Sequence, residues 1–147
     1  MLEMIQQYVR THVIASKRAV VLKILTGDDS KSFIFQWEEY GGDIPTAVKE
    51  TIKACTSAKR DAIVRCKGFI GWLEGETKEQ YEIEWPPVDI GNRFERIIYI
   101  MRALQTEQTN AVEYLSDKLW VSTRTIEDDL SVLLDRDETT DDIPMTG

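Results

Sequence analysis

Three hydroxyl side chains and one guanidinium follow one another at Ser122, Thr123, Arg124 and Thr125. Serine is a favoured helix N-cap, because its side-chain oxygen accepts a hydrogen bond from a backbone N–H of the first turn. An arginine near a helix start can bind a guanine edge or a phosphate through two parallel hydrogen bonds, and hydroxyls and first-turn N–H groups donate well to phosphate. These four residues are therefore candidates for contacts with phosphates and base edges.

The other reactive residue types do not form a catalytic pattern. His12 is the single histidine, and no GxSxG motif accompanies it. Cys55 and Cys66 are the only cysteines and lack CxxC spacing, so we expect free, reduced, partly buried thiols, with a disulfide or a metal site as the alternatives. We expect neither an enzyme, nor a metal site, nor a cofactor.

A second group of basic residues lies in the first half of the chain. An ordinary solvated helix face is the favoured interpretation of this group. The alternative is a second nucleic-acid surface, on which Phe69 or Trp72 would stack bases. Its members are Lys49, Lys53, Lys59, Arg60, Arg65 and Lys67.

The bulk composition limits the class of protein. A chain of 147 residues fits one compact domain or two small ones. The net charge of −8 argues against nonspecific coating of nucleic acid, but a site-specific binder needs positive charge on one face only. The sequence has no run of about 18 apolar residues and no signal-peptide pattern at its start, so we expect a cytoplasmic protein without a membrane segment.

The first part of the chain predicts a small α+β unit, residues 1–87. Two hairpins with Gly-containing turns at 27–30 and 74–78 are predicted from runs of β-branched and aromatic residues. The predicted helices are 2–14 and 45–57, the second with Asp43 as cap and Pro45 in its first turn. The predicted strands are 19–25, 32–37, 61–67 with a continuation over 68–73, and 81–85.

The dipeptide Pro86-Pro87 is the predicted boundary between two domains, because neither residue can donate to a β-ladder. Beyond it we expect a helical domain over 88–137. An acidic tail follows over 138–147, and we expect it to be solvated.

The helical domain contains three predicted helices. Helix one covers about 92–105 with Asn92 as cap, helix two begins near Asn110, and helix three runs from Thr123 to about Asp135. Between the last two lies the turn 120–122, where we expect Trp120 to pack on the core. Three short helices with such a turn form the unit that places its third helix in a DNA major groove. The predicted inward residues are Phe94, Ile97, Ile98, Met101 and Leu104 on helix one, Val112, Leu115 and Leu119 on helix two, and Ile126, Leu130 and Leu133 on helix three.

The string from Glu113 to Leu133 resembles the type 11 helix-turn-helix that opens bacterial winged-helix regulators, among them DeoR-like repressors, WYL-domain regulators and phosphotransferase-linked activators. The matching motifs are Val121-Ser122, Arg124-Thr125-Ile126 and Asp129-Leu130, and the upstream segment from Arg93 to Ile97 is similar to the start of that module. The resemblance covers residues 92–136. No family resemblance covers residues 1–90.

The resemblance implies a bacterial transcription regulator that binds double-stranded DNA. Ser122, Thr123 and Arg124 would lie at the start of the recognition helix near phosphates and base edges, and Thr125 would contact the DNA backbone. Lys118, Glu127 and Asp128 complete the set of seven predicted DNA-binding residues. Two half-sites about 34 Å apart would supply the affinity that one short helix lacks, so we expect a homodimer. The N-terminal unit would then mediate dimerisation or sensing.

Glu127 and Asp128 favour an alternative function. They occupy groove-facing positions where the family commonly has arginine, and carboxylates repel phosphate, although an acidic side chain can accept from cytosine N4. We also expect the wing of this module to be minimal or absent. The alternative is an adaptor that uses the helical module and the α+β unit for protein–protein interaction. A DNA binder should instead present a common basic face, composed of Arg93, Arg96, Arg102, Lys118 and Arg124.

Overall fold

The structure is a computed structural model that describes residues 1–55, 59–106 and 111–133. Within these ranges every regular element is a helix. The chain divides into two compact units, Met1–Glu84 and Trp85–Gly147. The predicted α+β fold is therefore wrong, because the N-terminal unit is helical throughout its described regular elements.

The helices follow one another along the chain with short connections. In the N-terminal unit they are α1 (Leu2–His12), a 3-10 turn (Ala15–Lys17), α2 (Arg18–Thr26), α3 (Phe33–Glu39), α4 (Ile44–Ala54) and α5 (Lys59–Thr77). In the C-terminal unit they are α6 (Arg93–Thr106), α7 (Ala111–Leu119) and α8, which covers 123–133 of the described residues. The predicted helices at 2–14 and 45–57 are confirmed as α1 and α4, although residues 56 and 57 lie outside the described ranges.

The first predicted hairpin is wrong, because its two strands are the helices α2 and α3. Val21 and Leu25 are four residues apart on α2, and both are buried. Ser32 caps α3, since its Oγ accepts from the Phe35 N–H at 3.3 Å. The preference of valine, isoleucine and phenylalanine for strands is weak, and burial on a helical spacing overrides it here.

The strand predicted over 61–67 and its continuation to 73 are likewise wrong, because both belong to α5. The turn predicted at 74–78 is wrong as well, because α5 continues to Thr77. Ala62, Cys66, Phe69 and Leu73 are buried at the four, three and four residue spacing of a helix face. Ala62, Val64 and Cys66 also alternate, which mimics a strand, but Val64 is 57% exposed. A two-residue period over so short a window does not exclude a helix.

The segment predicted as the last strand, 81–85, belongs to no helix or strand in the structure. Its alternation is real, since Tyr81 and Ile83 are half-buried while Glu82 and Glu84 are exposed. The Tyr81 N–H donates to Glu74 Oε2 of α5 at 2.9 Å. The segment therefore has no partner strand among the described residues.

The core of the N-terminal unit lies between α5 and the shorter helices. Phe33 of α3 and Tyr8 of α1 each pack edge-on against Phe69, with ring centroids 5.7 and 5.4 Å apart. Gly68 on α5 permits this approach, because a Cβ there would lie 2.8 Å from the Tyr8 hydroxyl. His12 stacks on Tyr8 at 5.9 Å. The single histidine thus belongs to an aromatic cluster.

In the C-terminal unit the predicted helices are present, but the inward face of α6 differs from the prediction. Ile100 is fully buried, whereas Phe94, Met101 and Leu104 are exposed. Asn92 caps α6 as predicted, since its Oδ1 accepts from the N–H groups of Phe94 and Glu95. The fully buried or nearly fully buried residues of this core are Ile90, Ile100, Leu115, Leu119, Val121 and Ile126.

Two predictions fall outside the described residues, and a third concerns membranes. The predicted wing and the acidic tail over 138–147 lie outside the described ranges. Among the described residues, no helix combines the length and apolar character that crossing a bilayer requires.

Candidate nucleic-acid interface

The turn between α7 and α8 is held by one buried hydrogen bond and one buried ring. Ser116 on α7 donates through Oγ to the Val121 carbonyl at 2.5 Å, and both residues are buried. Trp120 is 3% exposed, and its ring lies 5.3 Å from that of Trp85. The predicted packing of Trp120 on the core is confirmed. Its φ of 55° is unusual for a large side chain, so burial of the ring outweighs the backbone strain at this position.

Ser122 is the N-cap of α8. Its Oγ accepts from the Thr125 N–H at 3.1 Å and lies 3.0 Å from the Thr125 hydroxyl. This bond satisfies one of the free N–H groups of the first turn and sets where the helix begins. The Ser122 hydroxyl is therefore already engaged with the helix, while its side chain stays exposed.

The outward face of α8 begins directly after this cap. Thr123, Arg124, Glu127 and Asp128 are all exposed, and Thr125 is half-buried. The structure thus brings together six of the seven predicted site residues on the first two turns of α8 and its cap. Arg124 is the one cation on this face, and Glu127 and Asp128 are two anions, so the net side-chain charge of the face is negative. Besides Arg124, the positive end of the helix dipole would attract a phosphate.

Lys118, the seventh predicted site residue, lies on α7. Its Nζ is 5.7 Å from the centre of the Tyr114 ring, and the residue is half-buried. This distance is within the range of a cation–π contact. The tyrosine ring therefore holds the ammonium close to α7.

Asp129 on α8 carries a buried negative charge that two arginines of α6 neutralise. Arg96 donates through Nε to Oδ2 at 2.9 Å and through Nη2 to Oδ1 at 3.2 Å, and Arg93 donates through Nε to Oδ1 at 3.2 Å. Asp129 is 1% exposed, Arg96 is 12% exposed and Arg93 is 53% exposed. Arg96 also donates to the Ile90 carbonyl at 2.6 Å.

This cluster changes the expected basic face. Arg96 is enclosed by Asp129 and Ile90, so it is not available to a nucleic acid, and the expected face of five basic residues is incomplete. Arg93 keeps half of its side chain exposed, and its Nη2 also donates to the Asp128 carbonyl at 3.4 Å. The Arg96–Asp129 pair orients α8 on α6 and so determines which residues of α8 point outward.

Asp129 belongs to the Asp129-Leu130 motif, but no role for its carboxylate was predicted from the sequence. A signal for its burial was present in the spacing. Ile126, Asp129, Leu130 and Leu133 follow the three and four residue spacing of one helix face, which places the carboxylate among core positions. A buried carboxylate requires a cationic or hydrogen-bonding partner, and Arg93 and Arg96 are basic residues of the upstream segment of the same module.

Two residues of the basic group of the N-terminal unit make structural contacts. Lys59 donates through Nζ to the carbonyls of Ile52 and Lys53, at 2.8 and 3.2 Å, and so caps the end of α4. Arg65 pairs with Asp61 one turn earlier at 3.5 Å. Phe69 is fully buried and cannot stack on a base. These contacts favour a helix face and C-cap over a second nucleic-acid surface.

The cysteines of the structure are free thiols. Cys66 is fully buried in α5, and burial raises its pKa to about 12, with a smaller contribution from Cys55. Burial also raises the pKa of Cys55, which Lys59 opposes. Among the described residues, no three His, Cys, Asp or Glu side chains are grouped as a metal site requires.

The helix-turn-helix resemblance of residues 92–136 stays a prediction, because no family model, no curated protein and no solved structure matches the chain.

Proposed function

We propose that the protein is a cytoplasmic transcription regulator that binds double-stranded DNA through α7, the turn 120–122 and α8. One observation carries the proposal. Thr123 and Arg124 are exposed on the first turn of a helix that follows a three-residue turn, in a unit where two other helices support it. This is the arrangement in which the start of a recognition helix meets base edges and phosphates.

The rigidity of the support favours recognition of a fixed surface. The Ser116–Val121 hydrogen bond, the buried Trp120 ring and the Arg96–Asp129 pair all hold α8 without using Arg124. A guanidinium on a preorganised helix loses less entropy on binding than one on a loop. Arg124 is therefore the residue that we expect to contribute most of the contact energy on α8.

Glu127 and Asp128 determine the expected selectivity. Both are exposed on the second turn of α8, where they would oppose phosphates of any sequence. A carboxylate can accept a hydrogen bond from cytosine N4. Glu127 and Asp128 should therefore oppose binding less at a cytosine-containing site than at other sequences. We therefore expect weak binding to random duplexes and a larger gain at the cognate site.

Fluorescence anisotropy with a random-sequence duplex at low and moderate salt tests the proposal. Arg124→Ala should weaken binding and lower the slope of log affinity against log salt by about one. Arg10→Ala is the matched control, because it removes one exposed arginine from α1 of the other unit. Its curve should coincide with that of the wild type.

A second variant tests the acidic residues. Glu127→Gln combined with Asp128→Asn removes two repulsive charges without changing the size of the side chains, and should raise affinity for the random duplex several-fold. If neither the wild type nor this variant binds at low salt, α8 does not meet DNA and the proposal fails.

The alternative function is a protein adaptor. It is favoured by the excess of acidic over basic side chains on the outward face of α8, where Glu127 and Asp128 accompany Arg124. Such a face fits a basic protein surface better than a phosphate backbone. Absence of DNA binding in the anisotropy titration would select this function.

A further inference from the structure

The buried carboxylate of Asp129 has more cationic partners than its charge requires. Arg96 donates to both of its oxygens, at 2.9 and 3.2 Å, and is 12% exposed. Arg93 adds a third hydrogen bond, from Nε to Oδ1 at 3.2 Å. Two guanidinium groups and one carboxylate leave one positive charge that the cluster itself does not neutralise. Because Arg96 is enclosed, the accessible part of this charge is the side chain of Arg93, which is 53% exposed.

The guanidinium of Arg93 adjoins the outward face of α8. Its Nη2 donates to the Asp128 carbonyl at 3.4 Å, and the side chain of Asp128 is exposed on that face. The two bonds to α8 use Nε and one N–H of Nη2, so three of the five N–H groups donate to no other described residue. Arg93 is therefore held in place on one side and open on the other.

The carboxylates nearest to Arg93 in the chain do not neutralise this open side. Glu95 is two residues further along α6, which is about 200° around the helix axis and so on the opposite side of the helix. Within the described part of the chain, Asp128 accepts from Arg93 through its carbonyl and not through its carboxylate. The open N–H groups of Arg93 are thus available to an anion from outside the protein.

We propose that Arg93 binds a phosphate of the DNA beside the second turn of α8, so that the interface extends from α8 onto the start of α6. The inference rests on the proposed DNA-binding function. A helix in a major groove has phosphates along both sides, so a cation at the margin of its outward face meets the phosphate chain. Nη1 and the second N–H of Nη2 can donate in parallel to two phosphate oxygens.

This contact gives Arg93 a role that differs from the role of Arg124. Arg124 lies at the start of α8, where base edges are within its reach, whereas a phosphate contact strengthens binding to every sequence. The Arg93 charge also lies beside Asp128, so it offsets part of the repulsion between that carboxylate and the phosphates. Removing Arg93 should weaken binding to all duplexes by a similar factor and leave the discrimination between them unchanged.

Anisotropy titrations of the full chain with two duplexes of unrelated sequence, at several salt concentrations, test the inference. Arg93→Ala should weaken binding to both duplexes about tenfold at about 50 mM salt, and should lower the slope of log affinity against log salt by about one. Arg93→Lys keeps the charge and should retain the wild-type slope. Arg10→Ala on α1 is the control for the loss of one positive charge, and its curves should coincide with those of the wild type.

The salt dependence separates a phosphate contact from a purely structural role. If Arg93 only held α8 through Asp129, Arg93→Ala would weaken binding without changing the slope, and that result would overturn the inference. Arg93→Gln removes the charge but keeps an N–H group that can donate to Asp129, so its slope should also fall by about one. Far-UV circular dichroism of each variant checks that the helices are intact in the assay.

The outcomes also distinguish this inference from the proposed function. If the wild type binds and Arg124→Ala weakens binding, but Arg93→Ala has no effect, the function stands and the role of Arg93 is removed. A loss that differs strongly between the two duplexes would assign Arg93 to base readout and would equally overturn the phosphate contact. Absence of binding by the wild type at low salt would remove both the function and the inference.

Discussion

The guanidinium of Arg96 on α6 makes two hydrogen bonds to the buried carboxylate of Asp129 on α8, at 2.9 and 3.2 Å. The two residues are 33 positions apart in the chain. Paired donors in this geometry fix orientation as well as distance. The pair therefore joins the first and third helices of the C-terminal unit and turns the Arg124 side of α8 outward.

We expect Arg96→Ala to destabilise the C-terminal unit by about 3 kcal/mol, because it leaves the Asp129 carboxylate buried with only the half-exposed Arg93 as its partner. Urea unfolding followed by tryptophan fluorescence would measure the loss, since Trp85 and Trp120 pack together in this unit. Arg93→Ala is the control and should cost about 1 kcal/mol or less. Equal losses in the two variants would contradict the assigned role of Arg96.

Ser122→Ala should destabilise the C-terminal unit by about 1 kcal/mol, because the Thr125 N–H loses its acceptor at the start of α8. The same urea unfolding experiment measures it. Thr123→Ala, one residue further along and exposed, should change stability by less than about 0.5 kcal/mol. Ser122→Asp should retain most of the stability, because aspartate also caps helices.

Gly68→Ala and Gly71→Ala should have opposite effects on the N-terminal unit. Alanine at Gly71 enters open space in α5 and should stabilise the helix by about 0.5–1 kcal/mol. At Gly68 the new Cβ would lie 2.8 Å from the Tyr8 hydroxyl, in a ring held by Phe69 and Trp72, so overpacking should make the change destabilising by about 1 kcal/mol.

A double-mutant cycle identifies the cause of the Gly68 effect. In a Tyr8→Phe background the hydroxyl is absent, so Gly68→Ala should become neutral or stabilising in thermal unfolding. If the penalty persists in that background, the hydroxyl is not the atom that excludes a side chain at Gly68.

The buried Cys66 thiol predicts a loss of stability in alkali. Its pKa is about 12 in the folded protein against 9.0 for an exposed thiol, so the folded state keeps a proton that the unfolded chain releases. The stabilisation is complete below pH 9 and is lost as pH rises towards 12, at about 1.4 kcal/mol per pH unit. Between pH 8 and pH 10 the wild type should therefore lose about 1.4 kcal/mol more than Cys66→Ala.

Urea unfolding of both proteins at the two pH values measures this difference. The Cys66→Ala variant keeps Cys55 and all tyrosines and lysines, so their titration cancels in the comparison. Parallel stability profiles for the two proteins would show that ionisation of Cys66 is not linked to unfolding.

Predictability from sequence differed between the two units for a physical reason. In the C-terminal unit, the cap at Asn92 and the turn at Trp120–Ser122 mark where helices begin and end, so these helices could be predicted from the sequence. In the N-terminal unit, the apolar run 19–25 and the alternating segment 61–67 fit a strand as well as a helix. In windows of that length, the two-residue period of a strand and the 3.6-residue period of a helix cannot be told apart. The residues that pack against the segment decide between them.

By itself, the sequence determined the Asn92 and Ser122 caps and the outward position of Thr123 and Arg124, because these depend on residues close together in the chain. Tertiary structure alone decided that Asp129 is buried between two arginines, that Ile100 and not Phe94 faces the core, and that Arg96 is withdrawn from the surface. Those outcomes depend on which helix lies opposite, and the free energy of burying a charge or an apolar side chain is set by partners distant in sequence.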